Sequence, residues 1–175
     1  LGHWVKLSEK NNLIFFSGRV ELGQGNTTAL VMMIADELDV LPSSIHLETA
    51  RTDLTPNEGI TAGSMSITIG GVALRWVASA LKHQILEIAS KQLKTQPSNL
   101  YVQSGCIYQK GKKTELYLSD TFYKIDFNRK IIDDVHLKSF EERQKSFPNI
   151  NRIDLKSRLV DAPFIQDIAF DGMLY

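Results

Sequence analysis

Two short turns made of small residues constrain this chain more than any other feature, and both lie within residues 17–71. A strand-like run leads into the first turn, Gly23, Gln24 and Gly25, and a helix-like run follows it. The second turn, residues 61–66, comes about one helix, one strand and one loop later. Small residues allow close approach to the backbone, so the pattern predicts open N–H groups and hydroxyls that suit a phosphate or a polar heterocycle.

The composition is that of an ordinary globular protein and excludes several classes of function. Apolar residues make up 43% of the 175 residues, and the formal net charge is zero. Binding to nucleic acid or to an anionic membrane is therefore not predicted, and the apolar runs are too short for membrane insertion. The single cysteine, Cys106, and four scattered histidines show no metal-ligand spacing, so no metal site is predicted. No targeting signal is recognised, so the chain is expected to be soluble without an assigned compartment.

The order of the predicted elements indicates an α+β fold, with helices packed on a mixed β-sheet in two layers and a C-terminal connector. Strands are predicted at residues 4–7, 13–20, 45–49, 100–102 and 106–109, and the first two and the last two are each predicted to form a hairpin. Helical spacing predicts helices over residues 26–40 and 70–93. Asn26 or Thr27 is expected to cap the first helix with its side chain.

The composition and periodicity of the sequence change twice along the chain, which predicts three structural units. Residues 1–111 are interpreted as one α+β domain, and residues 112–150 as a charged linker or surface segment. Residues 151–175 are interpreted as the start of a following, truncated domain. Within them, a strand is predicted over residues 164–170, followed by a turn at Asp171 and Gly172.

The first turn has three interpretations. A P-loop is rejected, because Gln24 stands where a lysine must meet the phosphates. A dinucleotide-binding fingerprint would use Gly23, Gly25 and the acid Glu48, but Thr28 replaces the third glycine. An ordinary strand-to-helix turn is the simplest interpretation of this turn alone. The second turn favours a binding role for both turns, since an ordinary loop does not need six consecutive uncharged residues.

No residue is assigned a catalytic role. The acidic pairs at residues 36–37 and 141–142 are interpreted as solvated helix faces, since no second carboxylate pairs with either as acid and base. Ser64 has neither a nucleophile elbow around it nor a suitably placed histidine.

Side chains around the second turn are predicted to serve structure. Asp53 and Glu58 flank the turn and are expected to shape it. Arg75 is interpreted as one half of a surface salt bridge. The buried stripe of the second long helix is predicted to comprise Val72, Trp76, Ala80, His83 or Gln84, and residues 86–89.

These motifs resemble the molybdopterin-binding large subunit of the xanthine oxidase and aldehyde oxidase family, most closely its bacterial nicotinate or isoquinoline dehydrogenase branch. The resemblance rests on GRVELGQGNTTAL at residues 18–30, ADELDV at 35–40 and TDLTPNEGITAGSMSITIGG at 52–71, with Leu74-Arg75 in the next helix. The tail at residues 150–175 resembles the same branch. Three weak motifs in the right order make a specific signal.

The resemblance implies a cofactor and the residues that hold it. In this family the two turns clamp a molybdopterin, often as its cytosine dinucleotide. The resemblance assigns that role here to Gly23, Gln24, Gly25, Ala62, Gly63, Ser64 and Ser66. The pterin's sulfurs hold the molybdenum, so no protein side chain is expected to ligate it.

The resemblance also implies an oxidoreductase made of several parts. Family members hydroxylate N-heteroaromatic or aldehyde substrates with oxygen from water and pass electrons to an iron–sulfur subunit. Their large subunits are several times longer, and their catalytic glutamate has no counterpart here. We therefore expect a fragment that is inactive alone and holds no cofactor by itself. Its expected partners are the iron–sulfur small subunit and the remaining large-subunit domains, and an uncovered apolar face would favour a homodimer.

Two other functions compete with this one. The chain is alternatively a truncated, non-catalytic relative that acts as an interaction module. A nucleotide-binding α+β domain is the third hypothesis.

Overall fold

Apolar alternation and well-placed turns give short strands around two long helices. The computed structural model describes residues 1–130, 136–143, 152 and 168–173. Its strands are β1 Val5–Leu7, β2 Leu13–Ser17, β3 His46–Thr49, β4 Leu100–Gln103, β5 Cys106–Gln109 and β6 Lys112–Tyr117. Its α-helices are α1 Asn26–Leu38, α2 Val72–Gln92 and the single turn α3 Phe140–Arg143. A π-helical stretch, Ser66–Gly71, leads into α2, and 3-10 turns occur at Pro42–Ser44, Pro97–Asn99 and Leu118–Lys124.

The described strands form two separate three-stranded sheets. In the first sheet β1 pairs antiparallel with β2, and β2 pairs parallel with β3. The second sheet, β4-β5-β6, is antiparallel throughout. The predicted α+β class is confirmed, although two sheets replace the single mixed sheet. The predicted boundary at residue 111 lies between the paired strands β5 and β6, and the division into units stays a prediction.

Both long helices contribute to one hydrophobic core together with the two sheets. Its fully buried members include Leu30, Ile34 and Leu38 of α1, Leu74, Leu81 and Ile85 of α2, and Phe15 and Ile107 of the strands. The predicted buried stripe of α2 is confirmed at Ala80, Gln84 and Ala89, which are buried, but it is wrong at Val72, which is 38% exposed, and Trp76 is only half-buried. Apolar residues occupy both sides of this helix, so spacing alone did not identify every buried position.

A buried ion pair attaches residues 136–143 to the helices. Arg75 Nε donates to Glu37 Oε2 at 2.9 Å, and the two side chains are 10% and 2% exposed. Glu37 Oε1 accepts from the backbone N–H of Lys138 at 2.8 Å, and Arg75 Nη2 donates to the Lys138 carbonyl at 2.9 Å. Ser79 Oγ donates to the His136 carbonyl at 2.7 Å. The predictions of a solvated Glu37 and a surface salt bridge for Arg75 are therefore wrong.

A more exposed ion pair, Glu87 with Arg129, makes the stability of the fold modestly dependent on pH. Arg129 Nη1 lies 2.5 Å from Glu87 Oε2, and this hydrogen bond holds the pKa of Glu87 below its ordinary 4.5. A carboxyl whose pKa falls on folding adds stability above 4.5, and that stability is lost as the pH falls through the folded-state pKa.

Glu87→Gln is therefore expected to lower the free energy of unfolding at pH 7 by about 0.2–1 kcal/mol, the range for partly exposed pairs. The difference from the unmodified protein should shrink as the pH falls below 4.5, since both chains then carry a neutral side chain. Urea unfolding at several pH values measures this difference. A difference that stays constant from pH 7 to pH 3 would contradict the pairing. Glu115→Gln, at an exposed position on β6, serves as the control.

Part of the predicted C-terminal organisation lies outside the described residues. This holds for most of residues 151–175 and for positions 164–167 of the predicted strand. Residues 168–170 have no regular secondary structure, and Asp171 and Gly172 form the predicted turn. Among the described helices, α2 included, none combines the length and apolar character that crossing a bilayer requires.

Candidate functional site

The first turn is built around the carboxylate of Glu21. Glu21 Oε1 accepts hydrogen bonds from the backbone N–H groups of Gly23 at 2.8 Å and Gly25 at 2.9 Å, and Oε2 accepts from Thr27 at 3.0 Å. Gly23 and Gly25 have φ angles of 101° and 79°, which favour glycine. The expected side-chain cap from Asn26 or Thr27 is absent at α1. The expectation that these N–H groups are open is also wrong, because the chain's own anion holds them.

Gln24 is exposed and folds back onto its own loop. Its Oε1 accepts from the backbone N–H of Leu22 at 2.5 Å, and its Nε2 donates to the Val20 carbonyl at 3.0 Å. Asn26 Nδ2 donates to the same carbonyl at 2.9 Å. On another side of the turn, Arg152 Nη1 donates to the Gly23 carbonyl at 3.0 Å. The amide of Gln24 is thus held by local hydrogen bonds at the protein surface.

The second turn also presents its small residues to solvent. Ala62, Gly63 and Ser64 are exposed, and Ser66 is half-buried at the start of the π-helical stretch. Ser64 has a φ angle of 58°, a left-handed conformation that is uncommon for residues other than glycine. Thr68 Oγ1 donates to the Ser64 carbonyl at 3.3 Å and links the turn to the helical segment. Backbone and hydroxyl groups are therefore accessible here.

The fold brings the two turns together at Val20. The Val20 N–H donates to Thr61 Oγ1 at 2.8 Å, while the Val20 carbonyl accepts from Gln24. Next to it, Arg19 Nη1 donates to the Ile60 carbonyl at 2.9 Å. Thr61 directly precedes the predicted binding residues of the second turn, which begin at Ala62. The hydrogen bonds that join the loops thus run through neighbours of the predicted residues.

A buried ion pair behind the turns holds the loops in place. Arg19 Nε lies 3.3 Å from Glu58 Oε1, and the two side chains are 2% and 5% exposed. Glu58 Oε2 also accepts from Ser17 Oγ at 2.7 Å and from the Gly18 N–H at 2.6 Å. A Cβ added to Gly70 would lie 2.7 Å from Glu58 Oε1, so glycine lets the π-helical stretch approach closely.

Glu58 was expected to shape the second turn, but its carboxylate accepts from Ser17, Gly18 and Arg19 instead. Sequence reasoning missed the pairing of Glu58 with Arg19 entirely. The two residues lie 39 positions apart, and no periodicity connects them. The only available signal was an arginine inside a strand-like run between two glycine-containing turns.

One buried oxygen at the base of the first turn has no donor. Asn26 is 5% exposed, and its Oδ1 lacks a hydrogen-bond partner in the described part of the chain. Buried polar atoms are normally satisfied by protein, water or ligand. A heterocycle with several N–H groups, such as a pterin, supplies donors of the kind this oxygen needs. This unsatisfied acceptor is compatible with such a ligand, although the oxygen itself is buried beneath the surface of the turn.

Exposed apolar side chains flank both turns. Val20 and Leu22 belong to the first loop, and Leu22 is 73% exposed. Around the second turn lie Ile60, Ile67, Ile69 and Val72, which are also exposed. A cleft of about 430 Å³ opens beside the joined loops and is lined in part by Gly18, Val20, Pro56 and Glu58, but by none of the predicted cofactor-binding residues. Polar groups framed by apolar ones are typical of ligand-binding surfaces.

The chain belongs to the molybdopterin cofactor-binding domain family. The model of that family matches residues 2–144, which include both turns, the π-helical stretch and both sheets. The resemblance to the xanthine oxidase and aldehyde oxidase family is thereby confirmed, and its cofactor class is molybdopterin. The match does not favour the alternatives of an interaction module or a nucleotide-binding domain.

Characterised relatives agree with this membership. A nicotinate dehydrogenase subunit of Pseudomonas putida is 26% identical over the whole of this chain, which covers 15% of that protein. The gamma subunit of the 6-hydroxypseudooxynicotine dehydrogenase complex of Paenarthrobacter nicotinovorans is 28% identical over 65% of this chain and 14% of its own length. Aldehyde oxidase of Homo sapiens is 31% identical over 44% of this chain and 6% of its own. The chain thus spans no more than 15% of these relatives.

Solved structures share the fold. Quinoline 2-oxidoreductase from Pseudomonas putida 86 superposes with a TM-score of 0.57 at 19% identity, over 67% of this chain and 15% of that chain. Reconstituted CO dehydrogenase from Oligotropha carboxidovorans gives a TM-score of 0.58 at 25% identity, over 66% and 15% respectively.

Proposed function

We propose that this chain forms one wall of the molybdopterin pocket in the large subunit of a molybdenum hydroxylase. The meeting of the two turns at Val20 is the observation that carries the proposal, because a wall needs both turns on one surface. The orphaned oxygen of Asn26 beneath that surface adds support.

Each proposed binding residue contributes a different kind of group. Gln24 brings an exposed amide that can exchange its loop partners for a ligand's donor and acceptor. Gly23 leaves space for close approach, since a Cβ added there would meet no atom within 4 Å, whereas a Cβ added to Gly25 would lie 3.6 Å from Arg152 Nε. The remaining four residues, on the second turn, offer accessible backbone and the hydroxyls of two serines: Ala62, Gly63, Ser64 and Ser66.

The complete protein is proposed to oxidise an N-heteroaromatic or aldehyde substrate, the classes named in its relatives. When bound, the molybdenum cofactor, which we propose to be the cytosine dinucleotide form, supplies the redox chemistry. The exposed apolar side chains beside the turns suit contact with further large-subunit domains, and an iron–sulfur subunit is the proposed electron acceptor. Where no other domain covers these apolar side chains, two copies of the chain are proposed to form a dimer through them.

Metal analysis of the full-length protein, co-produced with its iron–sulfur partner, tests the proposal. The unmodified protein is expected to retain molybdenum and pterin through purification. Gln24→Ala removes the exposed amide and is expected to weaken cofactor retention about tenfold or more, as the loss of one hydrogen bond to a charged ligand would.

Gln96→Ala is the matched control, since Gln96 is also an exposed glutamine but lies beside the turn Pro97–Asn99. It should keep full molybdenum content. The absence of molybdenum from the unmodified complex, or unchanged cofactor retention in Gln24→Ala, would count against the proposed pocket.

A further inference from the structure

Glu21 is a buried acid that the proposed pocket does not use as a ligand-binding group. It is 7% exposed and accepts three backbone hydrogen bonds from the turn that follows it. Hydrogen bonds to an ionised acceptor are shorter and stronger than neutral ones. The backbone of the first turn is therefore fixed without any ligand.

The three N–H groups form a concave arrangement of the kind that binds anions elsewhere. Here the concavity is already filled by Glu21 Oε1 and Oε2. A cofactor phosphate would have to displace a covalently tethered carboxylate to bind there. The backbone N–H groups of the first turn are thus not free to bind an anion. Any contact that this turn makes with the cofactor must come from its other groups.

The side chain of Gln24 is the part of the turn that can move at small cost. If its Nε2 leaves the Val20 carbonyl, Asn26 Nδ2 still donates to that oxygen. The glutamine is exposed, so the Leu22 N–H that it releases can turn to water. The first turn therefore combines a backbone that Glu21 holds in place with one side-chain amide, that of Gln24, that can exchange its hydrogen-bond partners.

We propose that Glu21 is a positioning residue. It holds the Gly-Gln-Gly backbone in its cofactor-binding conformation before the cofactor binds, so that only the side chain of Gln24 rearranges on binding. This inference rests on the proposed function for the identity of the ligand. The preformed state of the turn is a property of the cofactor-free chain and can be measured without the cofactor.

Amide hydrogen exchange in the cofactor-free 175-residue chain is the first measurement. In Glu21→Ala the amides of Gly23, Gly25 and Thr27 are expected to exchange about tenfold faster or more, since each loses a charge-assisted hydrogen bond. Amides of core residues such as Ile34 and Ile85 should keep their protection. Acetate added to Glu21→Ala should refill the concavity and restore slow exchange at the three amides, an effect that a general loss of stability would not produce.

Two further variants keep the test decisive. Glu21→Gln retains the side-chain length and replaces one oxygen by an NH2 donor, so at least one of the three amides should still lose protection. Glu115→Gln removes a carboxylate from an exposed position on β6 and should leave all three amides protected. Unchanged exchange at Gly23, Gly25 and Thr27 in both Glu21 variants would overturn the positioning role.

Molybdenum content separates this inference from the proposed function. In the full-length complex, Glu21→Gln is expected to retain several-fold less molybdenum than Glu115→Gln. If the unmodified complex lacks molybdenum while the exchange results hold, the proposed function fails and the preformed turn stands. If the unmodified complex is loaded and Glu21→Gln is loaded equally, the positioning role is overturned and the proposed function stands.

Discussion

Replacing Glu58 by alanine is expected to lower the free energy of unfolding by about 3–5 kcal/mol, the cost of leaving a buried charge without its partner. Arg19 is the residue left behind, and its side chain is 2% exposed. Ser17 Oγ and the Gly18 N–H lose their acceptor in the same variant. The effect should be large because a single carboxylate satisfies three donors between the two loops.

Chemical denaturation at pH 7 measures this loss. Asp53→Ala is the matched control, since Asp53 pairs with Arg51 only 2.7 Å away but both side chains are more than half exposed. Water replaces such a partner readily, so the control should differ little from the unmodified protein. Equal losses of unfolding free energy in Glu58→Ala and Asp53→Ala would contradict a larger contribution of the buried pair than of the exposed one.

Arg75→Ala is expected to have an effect of similar size, about 3–5 kcal/mol, because Glu37 is left buried and unpaired. Its consequence should also reach residues 136–143, whose backbone at Lys138 is bonded to both members of the pair. Limited digestion with trypsin should therefore cut after Lys138 faster in the variant than in the unmodified chain.

Arg51→Ala provides the control for this second result. Arg51 is an arginine of a surface ion pair and is 51% exposed. Its removal should alter neither the denaturation midpoint nor the cutting rate after Lys138 to a comparable degree. An Arg75→Ala variant that unfolds at the same denaturant midpoint as the unmodified protein would contradict the predicted cost of leaving Glu37 unpaired.

Local signals were sufficient to predict much of the fold. Residues 4–20 alternate and turn within a short stretch, so the hairpin of β1 and β2 was predicted from neighbours alone. The same holds for β4 and β5 around Ser104 and Gly105. The order of three motifs was sufficient to indicate the family, although each motif is weak by itself.

Long-range electrostatics were beyond prediction from sequence. Glu37 looks solvated next to Asp36 in the sequence, and only the position of Arg75, 38 residues later, makes its burial tolerable. Glu21 likewise looks like one more surface acid. Its role depends on how the chain turns back over it, which is a matter of backbone geometry at Gly23 and Gly25.

The link between Arg19 and Glu58 also bears on the order of events during biosynthesis. Because Glu58 follows Arg19 by 39 positions, with α1 and β3 between them, the contact cannot form until residue 58 has been synthesised. A nascent polypeptide that ends before Glu58 has the first turn but not its counterpart. Under the proposed function, the wall that the two turns form is therefore available to a cofactor only after the residues of the second turn have been synthesised.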